Sequence, residues 1–356
     1  MFFIKKSLTY WLSATSNYQT ATNFAQKKLL KMLLTLQDIQ QKYSLYAAEH
    51  PFRFETKELY EPIEYILNVG GKRLRPALVL MAANLFQNQI DSALPAAYAI
   101  EVFHNFTLVH DDIMDEAPLR RGQPTIHTKY DTNVAILSGD VMLIYAYEYL
   151  LQAPPATLAK VIKSFNEFAI AVCEGQQMDV NFENRTDVTI EEYLKMIELK
   201  TAALIAGALR IGAYMVTANE QDAFHLSEFG RNIGIAFQLQ DDILDTFGDP
   251  KKFGKKVGGD IAQNKKTYLV LKSLELADKT TAAELNQWLS TKPKNEQAKI
   301  EAVKNIFIQL EIKKHASTLK NEYLDKAYRH LDTIEISNER KQYLRSFGET
   351  LVNRNI

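Results

Sequence analysis

Apolar residues recur at helical spacing through 63–69, 96–109, 134–151, 158–172 and 202–216, and each stretch predicts an α-helix with a buried face. The pattern continues through 296–331, where Lys and Glu fill the polar positions. No stretch shows sustained strand alternation bounded by hairpin turns. Gly70-Gly71 and Gly258-Gly259 are the clearest breaks. Pro154-Pro155 marks a helix–helix connection. Asp187 to Thr189, followed by Glu191 and Glu192, predicts a helix start with an acidic first turn. No low-complexity linker divides the chain. The pattern predicts a single all-α domain over 51–356, preceded by a helical N-terminal extension over 1–50.

Composition narrows the function classes. The chain has 356 residues, 46% of them hydrophobic, so it can bury a large core. Its formal net charge of −1 provides no global field for nucleic acid or an acidic membrane. An anionic ligand must therefore be met by a local basic cluster. Cys173, the only cysteine, excludes an internal disulfide and a four-cysteine zinc site and fits a reducing cytoplasm. No apolar run is long enough to span a membrane, and Lys5, Lys6 and Ser7 break the first apolar stretch, which makes a poor signal peptide. The expectation is a cytoplasmic protein with no stable membrane insertion.

One internal echo changes the picture. Asp111-Asp112-Ile-Met-Asp115 and Asp241-Asp242-Ile-Leu-Asp245 repeat one pattern, 130 positions apart, each after an apolar helical segment. In a helix, the first and last aspartates of each motif share a face one turn apart. Carboxylates near a helix C-terminus face the wrong end of the macrodipole, so two such clusters cost stability unless cations offset them. Oxygen-only ligands suit a hard ion such as magnesium, which binds a few carboxylates together with water and phosphate. Basic segments accompany the clusters. Arg120 and Arg121 follow the first. Lys251, Lys252, Lys255, Lys256, Lys265 and Lys266 follow the second, and Gly70-Gly71-Lys72-Arg73-Leu74-Arg75-Pro76 forms a third basic site between two apolar helices. Two anion sites beside two carboxylate clusters point to two diphosphate substrates with hydrocarbon tails.

These blocks, together with Gly175-Gln-Gln-Met-Asp179, Lys200-Thr201, Phe237-Gln238 and Lys265-Lys-Thr267, occur in one order between about residues 60 and 269. In that order the chain closely resembles the trans-isoprenyl diphosphate synthases, or polyprenyl synthetases. The resemblance implies antiparallel helices around a deep central pocket, usually as a homodimer. It implies head-to-tail condensation of isopentenyl diphosphate with an allylic diphosphate (dimethylallyl, geranyl or farnesyl). It also implies up to three Mg2+ ions held by Asp111, Asp115, Asp241 and Asp245, with Asp112 and Asp242 completing the clusters. Lys72, Arg75 and His104, assisted by Arg121, would bind isopentenyl diphosphate; Arg120, Lys200, Lys255 and Lys265 would hold the allylic diphosphate. Thr201 and Gln238 would sit near the developing carbocation. Gln176, Gln177 and Asp179 are expected to support the site rather than touch substrate. A terpene cyclase would carry a different second metal motif and lack Gly-Gly-Lys-Arg; a non-catalytic subunit would have lost aspartates that are present here.

The family sets product length by bulk at the fourth and fifth residues before the first aspartate, here Thr107 and Phe106. Phe106 lies about 7.5 Å along the helix from Asp111. The short motif and small Thr107 favour a C20 product over C15. An ideal helical wheel, however, places Ile100, His104 and Thr107 beneath Asp111 and turns Phe106 aside. On that wheel the floor could instead be Phe103 or a neighbouring helix.

Overall fold

The computed structural model describes residues 33–52, 55–249, 257–290 and 296–352. The described chain is helical almost throughout. Its helices are α1 (Leu36–Glu49), α2 (Lys57–Asn68), α3 (Leu74–Phe86), α4 (Leu94–Met114), α5 (Ile126–Lys129), α6 (Thr132–Leu150), α7 (Leu158–Glu183) and α8 (Ile190–Ile197). They continue with α9 (Ala203–Met215), α10 (Glu220–Phe247), α11 (Gly259–Ala262), α12 (Tyr268–Leu276), α13 (Lys279–Ser290), α14 (Glu296–Gln309), α15 (Ile312–Thr333) and α16 (Asn338–Val352). One hairpin, β1 (Leu119–Arg120) with β2 (Gln123–Pro124), was not anticipated from the pattern. Its tight turn uses Arg121 and Gly122, both at positive φ, and its strands are too short to show alternation.

Local chemistry explains several boundaries. Thr189 caps α8 and forms a capping box with Glu192, as the acidic start predicted. Gly70 and Gly71 break the chain at φ +94° and +134°, which only glycine adopts without strain. The apolar pattern of 296–331 is two helices, because Glu311 turns the chain at φ +52°.

Two apolar cores organise the packing. The larger joins α1 to α4, α6, α7, α9, the first half of α10, the second half of α15, and α16. The smaller joins α8, α12, α14 and the start of α15 to the second half of α10. Helix α10 therefore runs through both: Ile233 and Ala236 face the first, Ile235, Leu239 and Ile243 the second. Its uninterrupted run of 28 residues carries the second aspartate motif to the edge between the cores. Within the expected N-terminal extension, α1 docks on the body, with Ile39 and Tyr43 buried in the larger core. Residues 1–32 of that extension lie outside the described residues. No helix among the described residues is long and apolar enough to cross a membrane.

Candidate active site

The two aspartate motifs end α4 and α10. Asp112 is buried and takes a bidentate grip from Arg120, whose Nε lies 2.9 and 2.8 Å from its two oxygens; Arg120 Nη2 reaches Asp111 at 3.7 Å. The hairpin holds Arg120 in this position. Burial raises the pKa of Asp111, Asp115 and Asp112 add to the rise, and Lys200 and Arg120 oppose it. Lys200 Nζ sits 2.5 Å from Asp179 and 3.9 Å from Asp111. It stands on a π-helical turn, Glu198–Ala202, between α8 and α9. A wide turn of this kind displaces side chains from the regular helical face and recurs at functional sites. Gly175 permits the turn to approach α7, because a Cβ there would lie 2.2 Å from the Lys200 backbone nitrogen.

The second motif is organised differently. Asp242 is 3% exposed and is held by the Tyr193 hydroxyl on one oxygen and by Gln238 Nε2, at 3.2 Å, on the other. Burial, then Asp260, pushes its pKa up to about 8, against the hydrogen bonds from Tyr193 and Gln238. Asp245 Oδ2 accepts from the Asp260 backbone N–H at 3.1 Å, which ties the end of α10 to the segment carrying Lys265. Burial opposes the charge of Lys265, yet its pKa is raised by Asp260, Asp179, Asp115 and Asp111. Lys265 thus feels carboxylates from the first motif and from the region behind the second, so the two ends of the site converge on it. Lys251, Lys252, Lys255 and Lys256 lie outside the described residues.

A basic pole lies across from the aspartates. Arg75 is partly buried, its enclosed Nε meets no hydrogen-bond partner, and burial lowers its pKa to about 10. His104 is held neutral by burial and by the fields of Arg75, Arg121, Arg120 and Arg73. The Arg121 guanidinium donates to the Gly70 carbonyl, and a side chain at Gly71 would collide with it. Arg73 pairs with buried Glu101 and donates to the Leu67 carbonyl, so it anchors this loop rather than facing a ligand. Lys72 stands apart from Arg75: it is exposed and borders a separate cavity with Gln40, Tyr343 and Phe347.

Between the poles is a cavity of about 350 Å³. Arg75, His104, Asp111, Lys200 and Thr201 lie at its polar end, and Phe106, Thr107, Val172, Val180 and Leu204 line its apolar walls. Gln176 and Gln177 also line it, so they reach the cavity rather than only supporting its wall, and the exposed thiol of Cys173 stands beside them. Thr201 Oγ1 donates to Gln238 Oε1 at 3.3 Å. The wheel misjudged Phe106. Its ring reaches the cavity and packs edge-on against His110 at 4.8 Å, with buried Phe103 behind it at 5.6 Å. Ile100 is fully buried in the core.

The arrangement suits a hard cation. Among the described residues, no group of three or more His, Cys, Asp or Glu side chains is placed to hold a metal ion by itself. Magnesium favours such incomplete sites, because it retains water and takes phosphate oxygens as further ligands. Tyr193 and Asp260 were not assigned roles from sequence. Asp260 was legible only as part of a glycine-rich block, and Tyr193 only as one more apolar position of a helix.

Comparison with known proteins places these features in a family. The model of the Polyprenyl synthetase family matches residues 56–306. A geranylgeranyl diphosphate synthase of Sulfolobus acidocaldarius is 46% identical over 226 residues, covering 62% of this chain and 68% of that protein. One from Saccharolobus solfataricus is 40% identical over 80% of this chain and 86% of its own length. A geranylfarnesyl diphosphate synthase of Natronomonas pharaonis is 42% identical over 60% of this chain and 68% of its own. Among solved structures, a geranylgeranyl pyrophosphate synthase superposes with a TM-score of 0.87 at 44% identity, covering 91% of this chain and all of the other.

Proposed function

The chain belongs to the polyprenyl synthetase family, and from that membership we propose the roles of its residues, the length of its product and its assembly. The enzyme is a prenyltransferase that extends trans-prenyl diphosphates by head-to-tail addition of isopentenyl diphosphate. The observation that carries the finer reading is the cavity itself, charged at Arg75, Asp111 and Lys200 and apolar at Phe106 and Leu204.

In this reading Arg75, His104 and Arg121 hold the diphosphate of isopentenyl diphosphate, with Lys72 at its margin. Burial and then the arginine fields keep His104 neutral, and an arriving diphosphate would offset the second of these. Arg120, Lys200, Lys255 and Lys265 hold the allylic diphosphate. Asp111, Asp115, Asp241 and Asp245 would hold Mg2+, which when bound would supply positive charge to offset the charge building on the leaving group. The carbon–oxygen bond of the allylic substrate breaks and pyrophosphate takes the electron pair. The double bond of isopentenyl diphosphate then attacks the cation, and pyrophosphate is the base that removes the final proton. The oxygens of Thr201 and Gln238 face the positive charge, while the apolar walls exclude the water that would quench it. A cytoplasmic location, checked by cell fractionation, completes the reading.

Phe106 supports a C20 product, since it lines the cavity about 7.5 Å along α4 from Asp111. Incubation with labelled isopentenyl diphosphate and dimethylallyl, geranyl or farnesyl diphosphate should yield geranylgeranyl diphosphate as the main product. Phe106→Ala should shift the product to C25 or longer, as read by chromatography. An unchanged product from a folded variant would move the ruler to Phe103 or another wall.

A homodimer is supported by an apolar stripe on α6. Leu137, Ile144 and Leu151 are 57%, 60% and 52% exposed and recur every seventh residue, with Ile170 of α7 beside them at 59%. Such a seam is costly in water and fits a self-complementary, two-fold interface. Sedimentation should give twice the mass of one chain, and Leu137→Glu with Ile144→Glu should give the single-chain mass. A wild-type monomer at micromolar concentration would refute the assignment.

A further inference from the structure

Tyr193 is 2% exposed and lies on α8, outside the cavity lining. Its hydroxyl donates to Asp242 Oδ2. The other carboxylate oxygen, Oδ1, accepts from Gln238 Nε2 at 3.2 Å, and Gln238 Oε1 accepts from Thr201 Oγ1 at 3.3 Å. Thr201 lines the cavity. All three hydrogen bonds therefore point their donors toward Asp242 and away from the substrate space.

We propose that Tyr193 is a positioning residue for prenyl transfer: by clamping Asp242 it fixes the orientation of the Gln238 amide, and through it the direction of the Thr201 hydroxyl. Tyr193 donates to Oδ2 and leaves Oδ1 to accept the amide NH2 of Gln238, which turns the amide oxygen toward Thr201. The Thr201 hydrogen is then spent on Gln238, and its lone pairs face the cavity where positive charge develops. With the amide reversed, its NH2 would donate to Thr201 and free the hydroxyl hydrogen to turn toward the cation. That arrangement presents the positive end of the dipole to the reacting carbons. Donor and acceptor directions fixed before the reaction are what stabilise developing charge. The clamp differs from a packing role because its effect passes through one hydroxyl on the cavity wall.

The inference rests on the prenyl-transfer reading above; failure of that reading would appear as a wild-type enzyme that elongates no primer. In active enzyme, Tyr193→Phe removes one buried hydrogen bond to Asp242. It should lower kcat about ten- to a hundredfold, with both Michaelis constants and the half-saturating Mg2+ concentration unchanged. On a Thr201→Val background, which keeps the shape but has no hydroxyl to orient, the same change should cost less than about twofold, because the two act through one group. An unchanged kcat, a rise in either Michaelis constant, or the full loss repeated on Thr201→Val would each overturn the proposal. Should Tyr193→Phe fail to fold, Asp242→Asn reads the next link, since its amide offers a donor to Gln238 and loosens the same orientation. Its kcat loss should likewise vanish on Thr201→Val, and a loss that persists there would overturn the relay.

Discussion

Asp111→Ala and Asp241→Ala should each lower turnover by several orders of magnitude while leaving the helical fold intact. Each opens its acidic motif, Asp111 near the end of α4 and Asp241 near the end of α10. The reaction breaks a carbon–oxygen bond and leaves pyrophosphate carrying the electrons, so most of the barrier lies in stabilising that anion. A loss of three orders of magnitude corresponds to about 4 kcal/mol of transition-state stabilisation, a reasonable share for groups that anchor the cations. Chelation should act in the same way, abolishing turnover until Mg2+ is restored. The fold should survive Asp111→Ala for a specific reason. Its two basic neighbours keep other partners: Arg120 retains Asp112 at 2.6 Å, and Lys200 retains Asp179 at 2.5 Å. Removing a carboxylate whose pKa burial has already raised leaves no buried charge unpaired. Single-turnover kinetics and thermal melting without added metal separate the outcomes. A lowered melting temperature with modest loss of activity would make the aspartates structural. Full turnover in chelator would remove the cation role.

The motif residues were legible in sequence because their chemistry is local. Two aspartates one turn apart, repeated in a second motif and each followed by a basic segment, set up the expectation of a cation site, and the Thr189–Glu192 capping box announces a helix start within four residues. Gly175 was visible as a motif glycine, but its purpose, room for the Lys200 backbone, needed the packing of α7 on the π-helical turn. Arg73 reads as one of three equivalent cations in Lys72-Arg73-Leu74-Arg75; only the structure shows that Glu101, twenty-eight positions away, takes it for the scaffold. Phe106 shows the limit of the helical wheel, which gives the direction in which a Cβ leaves the helix but not where a long ring ends. Tyr193 was hidden because its partner Asp242 is forty-nine positions away and its own helix gives it no reason to be more than core.

Arg75→Leu should stabilise the free enzyme and cripple its use of isopentenyl diphosphate. The residue is partly buried, its Nε is enclosed and unpartnered, and burial lowers its pKa to about 10. For a base, a folded pKa below the unfolded one means that charge opposes folding. The cost is present in full at every pH below about 10 and fades only as the pH rises past it. A shift of this size corresponds to a few kcal/mol. Removing the cation strands no partner, because Glu101 keeps its ion pair with Arg73. Leucine also returns apolar volume to the wall of α3. The melting temperature of the substrate-free enzyme should therefore rise by roughly 5 °C. The same unpaired donor is what a diphosphate would complete, and losing one charge-assisted contact costs about 1.5–3 kcal/mol of binding. The Michaelis constant for isopentenyl diphosphate should rise about ten- to a hundredfold, with that for the allylic substrate little changed. Lys72→Ala, at an exposed position bordering a different cavity, should change the same constant only a few-fold and leave melting untouched. Arg120→Ala should show the opposite preference, harming the allylic substrate, since Arg120 is bound to Asp112 and Asp111. If Arg75→Leu melted lower and shifted both Michaelis constants equally, Arg75 would be a structural cation, and the diphosphate of isopentenyl diphosphate would have to be bound elsewhere.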